Sequence, residues 1–507
     1  MYLMHYFLTL LLVSAGVCVI SCDSTGLEDG DPRHPNRRTQ HDNVTLDWDI
    51  IENKWFLGEN LKDGRSRRRK PYTPGFSESV RGTDNGVSVR LTDGTTIAYM
   101  GDSQANDWGS PDLSRCGTGS ECNDPIMILD PEDNDPADGI DARLLQSGES
   151  GHYYPLTIPG INRKGYPVVS VDTPFTYPTG ADLGLITVET PAGEGDAGVD
   201  AGADAGVDAG TILKTKDMVY LWFATEIKAE DPRSFLACSQ NGIDFHNCRD
   251  PEKEEADVFS SDRFIIVSPV SIDNDIWELA GGVCDDEANA YSSGALCRLR
   301  SELLSYAPFE QLSGMLVFGC RAGPKDVNPG VTGYRESPVY MAYVHLTTGA
   351  VWYFTGSGWA RNDESEARAV LYQDLADSGE DRGLYWFGEI SVRLVIADNE
   401  SFLVMLSNHA NINDDELHAI SILYRTSSLF TPDMWAGPKQ TCGRGYGPYI
   451  IDRYTKVNSG TLTMYHMIQG WNGTAPSDRN HEAYGVFTTR LRLRNNGECT
   501  PPPWPPR

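Results

Sequence analysis

Five short apolar runs, several of them ending in Gly, Ser or Asn and with very little helical periodicity, constrain this chain more than any other feature. They are Thr95–Asp102 (TTIAYMGD), Met218–Thr225 (MVYLWFAT), Gly314–Cys320 (GMLVFGC), Ser401–Asn408 (SFLVMLSN) and Leu462–Gly470 (LTMYHMIQG). Compact runs of this length, rich in aromatic and aliphatic residues, read as buried strands. Further strands stand nearby, at Arg263–Val267, Val339–His345 and Ile420–Tyr424. Recurrence at intervals of roughly 60 to 120 residues makes each run the buried innermost strand of a repeated β unit, as in a β-propeller with long loops. The competing architecture is a β-sandwich with insertions, and residues 72–499 are long for one sandwich.

The N-terminal part reads differently. Phe7 to Ile20 is apolar, interrupted only by small residues, and stops at Val19-Ile20-Ser21-Cys22. It is too short for a membrane anchor but has the length of a signal-peptide core. An aliphatic residue followed by Ile, Ser and Cys resembles the lipobox of bacterial lipoproteins, where the cysteine receives a diacylglycerol and becomes the new N-terminus. Residues 1–21 are therefore expected to be a lipoprotein signal peptide and Cys22 the lipidation site. Met1 to Phe7 carries no Lys or Arg, and the alternative is an ordinary signal peptide cleaved nearby. No other segment reaches the ~20 apolar residues of a membrane helix, so the lipid is the expected membrane contact. The expected location is the cell envelope, facing the periplasm or on the outer-membrane surface.

Residues 22–71 are polar and lack apolar periodicity, which reads as a flexible stalk between lipid and domain. Within it, Arg65-Ser66-Arg67-Arg68-Arg69-Lys70 reads as a solvated charge run, a polybasic contact or a protease site. Residues 192–210 repeat Asp-Ala-Gly, cannot bury a core, and are expected to loop out of the fold as a disordered insertion. A Pro-rich tail fills 500–507.

The formal charge of -30 argues against nucleic acid as a partner, since phosphates are bound through Lys and Arg. Beyond Cys22, Cys116/Cys122, Cys238/Cys248 and Cys284/Cys297 are spaced as loop-closing disulfides of an oxidising compartment. Cys320, Cys442 and Cys499 remain, leaving one pair and one odd thiol, with Cys442–Cys499 the favoured pair. No spacing is CxxC and no His cluster accompanies these cysteines, so no zinc site is expected. The acidic stretch Asp130, Asp133, Asp135, Asp138 and Asp141 lacks an EF-hand ligand at Ala137 and has no closing Glu, so it reads as a solvated loop. Serine-hydrolase, zincin, Walker and dinucleotide motifs are missing, and no cofactor is implied.

Chemistry concentrates in Gly82 to Asp107 (GTDNGVSVRLTDGTTIAYMGDSQAND). Asp93-Gly94 is a type I′ hairpin signal. With Thr92 and Thr95 flanking a two-residue turn, Asp84 falls opposite Ser103 and Asp102 opposite Asn85. The two carboxylates then share one end of the hairpin, one step out of register, and only a bulge or strand end near Gly101 would turn both to one side. A close carboxylate pair is the equipment of a glycosidase: one, held protonated, donates to the leaving oxygen, and the other stays ionised. The alternative is that both are turn and strand-end residues bonded to backbone amides.

The same segment, GTD-x(8)-DG-x(4)-YMGDS, resembles the first blade of the five-bladed propellers grouped as domain-of-unknown-function family 4185, part of which is classed with the endo-D-arabinanases of glycoside hydrolase family 183. The resemblance continues through Tyr334-Arg335-Glu336-Ser337-Pro338-Val339-Tyr340-Met341-Ala342, Gly388-Glu389-Ile390-Ser391-Val392, Tyr446-Gly447-Pro448-Tyr449, Gln469-Gly470-Trp471-Asn472 and Tyr484-Gly485-Val486. It implies an all-β, five-bladed β-propeller with long loops and insertions, acting as an endo-glycosidase with retention on a furanose-containing polysaccharide such as arabinan. The residues that match the catalytic pair are Asp84 and Asp102. Gly-Asp-Ser stands where the family has Gly-Asp-Thr, and Gly473 follows Asn472 where it has Pro. Among possible substrate-binding residues, Glu389 is a third carboxylate before a strand, and its other reading is a backbone acceptor. Arg335 either pairs with one of the acids or staples blades. Tyr446, Trp471 and Tyr449 either stack on sugar faces or pack between blades.

Overall fold

A computed structural model describes residues 49–56, 80–105, 126–129, 142–145, 156, 176–190, 212–225, 233–253, 256–271, 314–321, 338–346, 348–371, 385–396, 401–411, 420–426, 435–444, 446–458, 461–470 and 485–494. These residues form five antiparallel sheets. Strand β1 (Asp49–Phe56) comes first in the chain and belongs to the last sheet. Blade one is β2 (Val80–Arg90), β3 (Thr96–Ala105), β4 (Ile126–Leu129) and β5 (Ala142–Leu144). Blade two runs β6 (Thr176–Thr190), β7 (Ile212–Thr225), β8 (Ser234–Ser239) and β10 (Asp257–Ser260), with the short β9 (His246–Asn247) also on β8. Blade three is β11 (Ile266–Ser271), β12 (Gly314–Cys320), β13 (Val339–His345), β14 (Val351–Phe354) and β15 (Trp359–Arg361), with β16 (Ala369–Leu371) on β13. Blade four is β17 (Tyr385–Ile396), β18 (Ser401–Asn411), β19 (Ile420–Thr426) and β20 (Trp435–Arg444). Blade five is β21 (Tyr446–Asn458), β22 (Thr461–Gly470) and β23 (Gly485–Arg494), completed by β1.

The first strands of the five sheets touch in a closed circle, β2 to β6, β6 to β11, β11 to β17, β17 to β21 and β21 back to β2. That ring is the axis of a β-propeller. The N-terminal strand closes it, since β1 pairs with β23 from Asp49↔Arg494 to Phe56↔Phe487. This corrects the stalk expected over residues 22–71: its stretch 49–56 is part of the last blade. The Asp-Ala-Gly insertion lies outside the described residues, between the ends of the long hairpin partners β6 and β7.

The five apolar runs occupy β3, β7, β12, β18 and β22, the second strand of each blade and not the innermost one. Packing explains why. Along β7, Val219, Leu221 and Phe223 enter a core shared with Val87, Tyr99, Ile451 and Met467 of blades one and five. The alternating Met218, Tyr220 and Trp222 enter a second core with Phe264, Met315 and Val317 of blade three. In β12, Leu316 and Phe318 face Val392 and Met405 of blade four, while Met315 and Val317 face blade two. A strand whose two faces both meet a neighbouring sheet has no polar face, so alternation vanishes and a continuous apolar run results. Each such side chain contributes about 1.5–3 kcal/mol by leaving water. Tyr99, fully buried in the first core, donates its hydroxyl to Gly242 O at 2.9 Å, and burial raises its pKa well above the ordinary phenol value.

The blade-one hairpin departs from expectation by one residue. Arg90 pairs with Thr96, and Leu91 N–H donates to Thr95 O at 2.8 Å, so the loop is Thr92-Asp93-Gly94. Gly94 N–H donates to Leu91 O at 3.0 Å, and Gly94 has φ +90° while Asp93 does not enter positive φ. The result is a three-residue loop closed by a left-handed glycine, instead of a type I′ turn. The Asp93 carboxylate selects it by accepting Thr95 N–H at 2.8 Å. Cys238 and Cys248 form the expected disulfide beside β8. Cys22, Cys116, Cys122, Cys284, Cys297 and Cys499 lie outside the described residues, as does the side chain of Cys442 on β20. The acidic stretch from Asp130 to Asp141 also lies outside them.

Candidate functional site

The innermost strands carry what the second strands exclude. A small open pocket lies on the axis, lined by Gly86 and Val87 of β2, Pro178 and Thr179 of β6, Glu389 and Ile390 of β17, and Gly447, Pro448 and Tyr449 of β21. On β6, β17 and β21 these residues lie near the start of the strand, so the pocket opens at the end where the inner strands begin.

At this level four of the five inner strands break their ladder. The register of β2 shifts between Asp84 and Gly86, that of β6 between Pro178 and Gly180, that of β17 between Phe387 and Ile390, and that of β21 between Tyr446 and Tyr449. The fifth, β11, pairs with β12 without a shift. A bulge leaves a residue unpaired and re-aims it relative to the sheet. Here the breaks coincide with Asn85, Thr179, Gly388-Glu389 and Gly447-Pro448, so the irregularities form a ring around the pocket. Gly447 has φ +62°, a conformation that glycine adopts without a Cβ clash.

Beneath the pocket, Arg393 and Tyr449 close the axis. Arg393 is 2% exposed, the buried charged side chain among the described residues. Its guanidinium donates to Pro269 O at 3.0 Å and Val392 O at 2.8 Å, donates to the Tyr449 hydroxyl, and stacks 4.7 Å from the Tyr449 ring centre. The Tyr449 hydroxyl lies 3.0 Å from Ser88 O and 2.9 Å from Ala181 O. One side-chain pair thus ties β2, β6, β11, β17 and β21 together. Hydroxyls and a carboxylate support it between neighbours: Ser268 Oγ accepts Val392 N–H at 2.7 Å, Ser391 Oγ accepts Ile450 N–H at 2.9 Å, and Asp182 accepts Ser271 N–H at 2.8 Å. Each such bond contributes on the order of 1 kcal/mol, more where a charge takes part.

The expected site residues fall into three groups. Glu389 is half-buried in the pocket wall. Asp84 and Asp102 are described by backbone alone: Asp84 pairs with Gly101, so position 102 follows Asp84's partner directly. Both stand toward the pocket's open end, because Asp84 precedes Gly86 on β2 and Asp102 follows Met100 on the antiparallel β3. The shift needed near Gly101 is present, on the β2 side. Tyr446 begins β21, with its backbone alone described, and Arg335 and Trp471 lie outside the described residues. Tyr449, weighed as a sugar platform or as packing, is 3% exposed and belongs to the axial lock. Sequence reasoning misses Arg393 and Thr179. The signals for them are slight: a polar alternation Glu389-x-Ser391-x-Arg393 inside an apolar strand, and a Pro178-Thr179-Gly180 interruption in β6.

A second small pocket lies between blades two and three, lined mainly by apolar residues with Arg249, Asp257 and His345. Its Asp257 is 3.7 Å from Arg249, and none of the expected site residues enters it.

No family model and no curated protein matches this chain. Among solved structures, an N-acetylgalactosamine deacetylase from F. plautii is similar over 88% of this chain and 95% of its own, at 12% identity and a TM-score of 0.37. A family 117 glycoside hydrolase of the marine bacterium Zobellia galactanivorans is similar over 88% and 91%, at 8% identity and a TM-score of 0.36. The GH93 alpha-L-arabinofuranosidase of Fusarium graminearum is similar over 87% and 98%, at 9% identity and a TM-score of 0.34. At such values the likeness carries no weight for activity.

Proposed function

We propose that this protein is an extracytoplasmic glycoside hydrolase, tethered to a membrane through a lipid on Cys22, that cleaves a furanose-containing polysaccharide such as arabinan internally and with retention. One observation carries the reading. The ring of ladder breaks surrounds an axial pocket that has a carboxylate, Glu389, in its wall and two more carboxylate positions, Asp84 and Asp102, toward its mouth. The blade motifs around GTD, YMGDS and GEISV support the furanose class.

Of Asp84 and Asp102, one attacks the anomeric carbon while the other protonates the departing glycosidic oxygen, giving a covalent glycosyl-enzyme and a shortened chain. The second carboxylate, now ionised, then takes a proton from water as that water displaces the first from the anomeric carbon. Glu389 raises the proton affinity of an adjacent acid by charge repulsion or accepts a sugar hydroxyl. The lipid and the chain up to residue 48 hold the mouth near insoluble polymer outside the cytoplasm.

Incubating the purified protein with arabinan and other wall polysaccharides tests the reading. Reducing ends are expected from at least one polymer, and Asp102→Asn is expected to lower the rate by about a hundredfold or more. Release no greater than that of the variant on every polymer would reject catalysis and leave a non-catalytic carbohydrate-binding or adhesion propeller.

A further inference from the structure

Asn241-Gly242 is a chemically labile pair in a part of blade two that the proposed chemistry leaves unused. An asparagine before glycine converts to an acid without an enzyme, because glycine has no side chain to shield its backbone nitrogen. Here the reacting groups are held. Asn241 is exposed in the loop between β8 and β9, yet its side-chain amide makes four hydrogen bonds. Oδ1 accepts the Ser239 hydroxyl at 2.8 Å and the N–H groups of Ile243 and Asp244, both at 2.9 Å. Nδ2 donates to Asp244 Oδ2 at 2.8 Å. Gly242 is pinned from the other side. Its carbonyl accepts the Tyr99 hydroxyl at 2.9 Å, Phe245 packs edge-on against the Tyr99 ring, and a Cβ on Gly242 would lie 2.6 Å from Ile97 Cδ1. The loop is thus seated against the core shared by blades one and two. Its base is slight apart from one covalent bond: β9 pairs only Ala237↔Asn247 and Cys238↔His246, and the Cys238–Cys248 disulfide spans it.

We infer that Asn241-Gly242 is a latent self-modification site that the Cys238–Cys248 disulfide keeps closed. Ring closure has to carry Asn241 Cγ onto the Gly242 backbone nitrogen and swing Nδ2 away as the leaving group. While the loop is seated, the amide's hydrogen bonds and the Tyr99 contact oppose both movements. A dithiol opens the way. It attacks at Cys248, which is half-buried and lines the pocket between blades two and three. Two electrons and two protons pass to the protein, the dithiol becomes a disulfide, and Cys238 and Cys248 become thiols. The restraint across a separation of 10 residues is then lost, and the loop opens more often. In the open loop Gly242 N bonds to Asn241 Cγ, the Cγ–Nδ2 bond breaks, and ammonia leaves with the proton that Gly242 N gives up. Water then adds to one of the two carbonyls of the five-membered ring. Opening on the side-chain side gives aspartate, and opening on the main-chain side gives isoaspartate, with the backbone rerouted through Cβ and Cγ. Either product stops the loop from reseating. A carboxylate at 241 meets Asp244 where Nδ2 had donated to it, a like-charge contact. The extra backbone carbon of isoaspartate draws the Gly242 carbonyl away from Tyr99. The device works once and in one direction.

The test ages the full chain at neutral pH and follows residue 241 by peptide mapping, with mass spectrometry reading the exchange of amide for acid. Asn85-Gly86 on β2, a second pair of the same kind, is read in the same samples. In the oxidised wild type, conversion at Asn241 is expected to run about tenfold slower, or more, than in urea-unfolded protein. The double variant Cys238→Ser/Cys248→Ser, kept without reductant, is expected to convert about tenfold faster than wild type at Asn241 and within about twofold of it at Asn85. If that variant does not fold, wild type treated with dithiothreitol gives the same reading. Tyr99→Phe keeps the disulfide and removes only the hydroxyl on Gly242 O, and is expected to speed conversion at Asn241 about fivefold. Conversion of oxidised wild type at the unfolded rate overturns the inference, as does an unchanged rate once the disulfide is gone. Equal acceleration at Asn85 and Asn241 overturns it too, because the whole chain and not the loop would then have opened.

Discussion

The first and second strands of each blade are hydrogen-bonded neighbours, yet they are built on opposite rules. The second strands are continuously apolar and unbroken where they cross the core, as in Gly314–Cys320, every residue of which is buried. The inner strands carry Asp84, Thr179, Ser268, Glu389, Ser391 and Arg393, and four of the five interrupt their ladders at one level. The difference teaches where a propeller keeps stability and where it keeps chemistry. Hydrophobic burial is non-directional and tolerates no polar face, so it sits between blades. Directed hydrogen bonds and irregular backbone sit on the axis, where polar groups find partners across the ring.

Two substitutions sharpen that contrast. Phe318→Ala in β12 is expected to cost about 3–5 kcal/mol, because it opens a cavity between blades three and four. Urea unfolding would measure it, with any residual activity per folded molecule unchanged. Arg393→Met on the inner strand keeps the volume and removes the donors to Pro269 O and the Tyr449 hydroxyl, at a cost of about 2–3 kcal/mol. The same unfolding experiment checks it, and a loss below about 0.5 kcal/mol would show that the axial lock is not what binds the ring.

The blades are legible in the sequence and the axis is hidden. Five apolar runs mark five sheets because two-sided burial leaves an unmistakable pattern. The same physics misdirects their placement: the most buried strand reads as the innermost one, whereas the inner strands border a pocket and carry polar residues. Asp93-Gly94 marks a hairpin correctly, yet the dipeptide serves a two-residue and a three-residue loop alike. The choice falls to the Asp93 carboxylate meeting Thr95 N–H. The closing strand Asp49–Phe56 reads as stalk because eight residues inside a polar stretch carry too little periodicity. Cys238–Cys248 is readable from spacing. Arg393 is not, because its partners are backbone oxygens and a phenol from distant parts of the chain. Asp84, Asp102 and Glu389 stand out as carboxylates near strand ends, which is a chemical signal, while Thr179 has no signal apart from the bulge that holds it.

The division of labour is tested most directly by Glu389→Gln, followed by reducing-end release and melting temperature on the same preparation. The expected result is a rate lowered about tenfold with a melting temperature within about one degree of wild type, a shift of about 1 kcal/mol or less for a chain of this size. An unchanged rate, or a melting temperature that falls by as much as that of Phe318→Ala, would contradict it, for Glu389 would then belong to the fold and not to the chemistry.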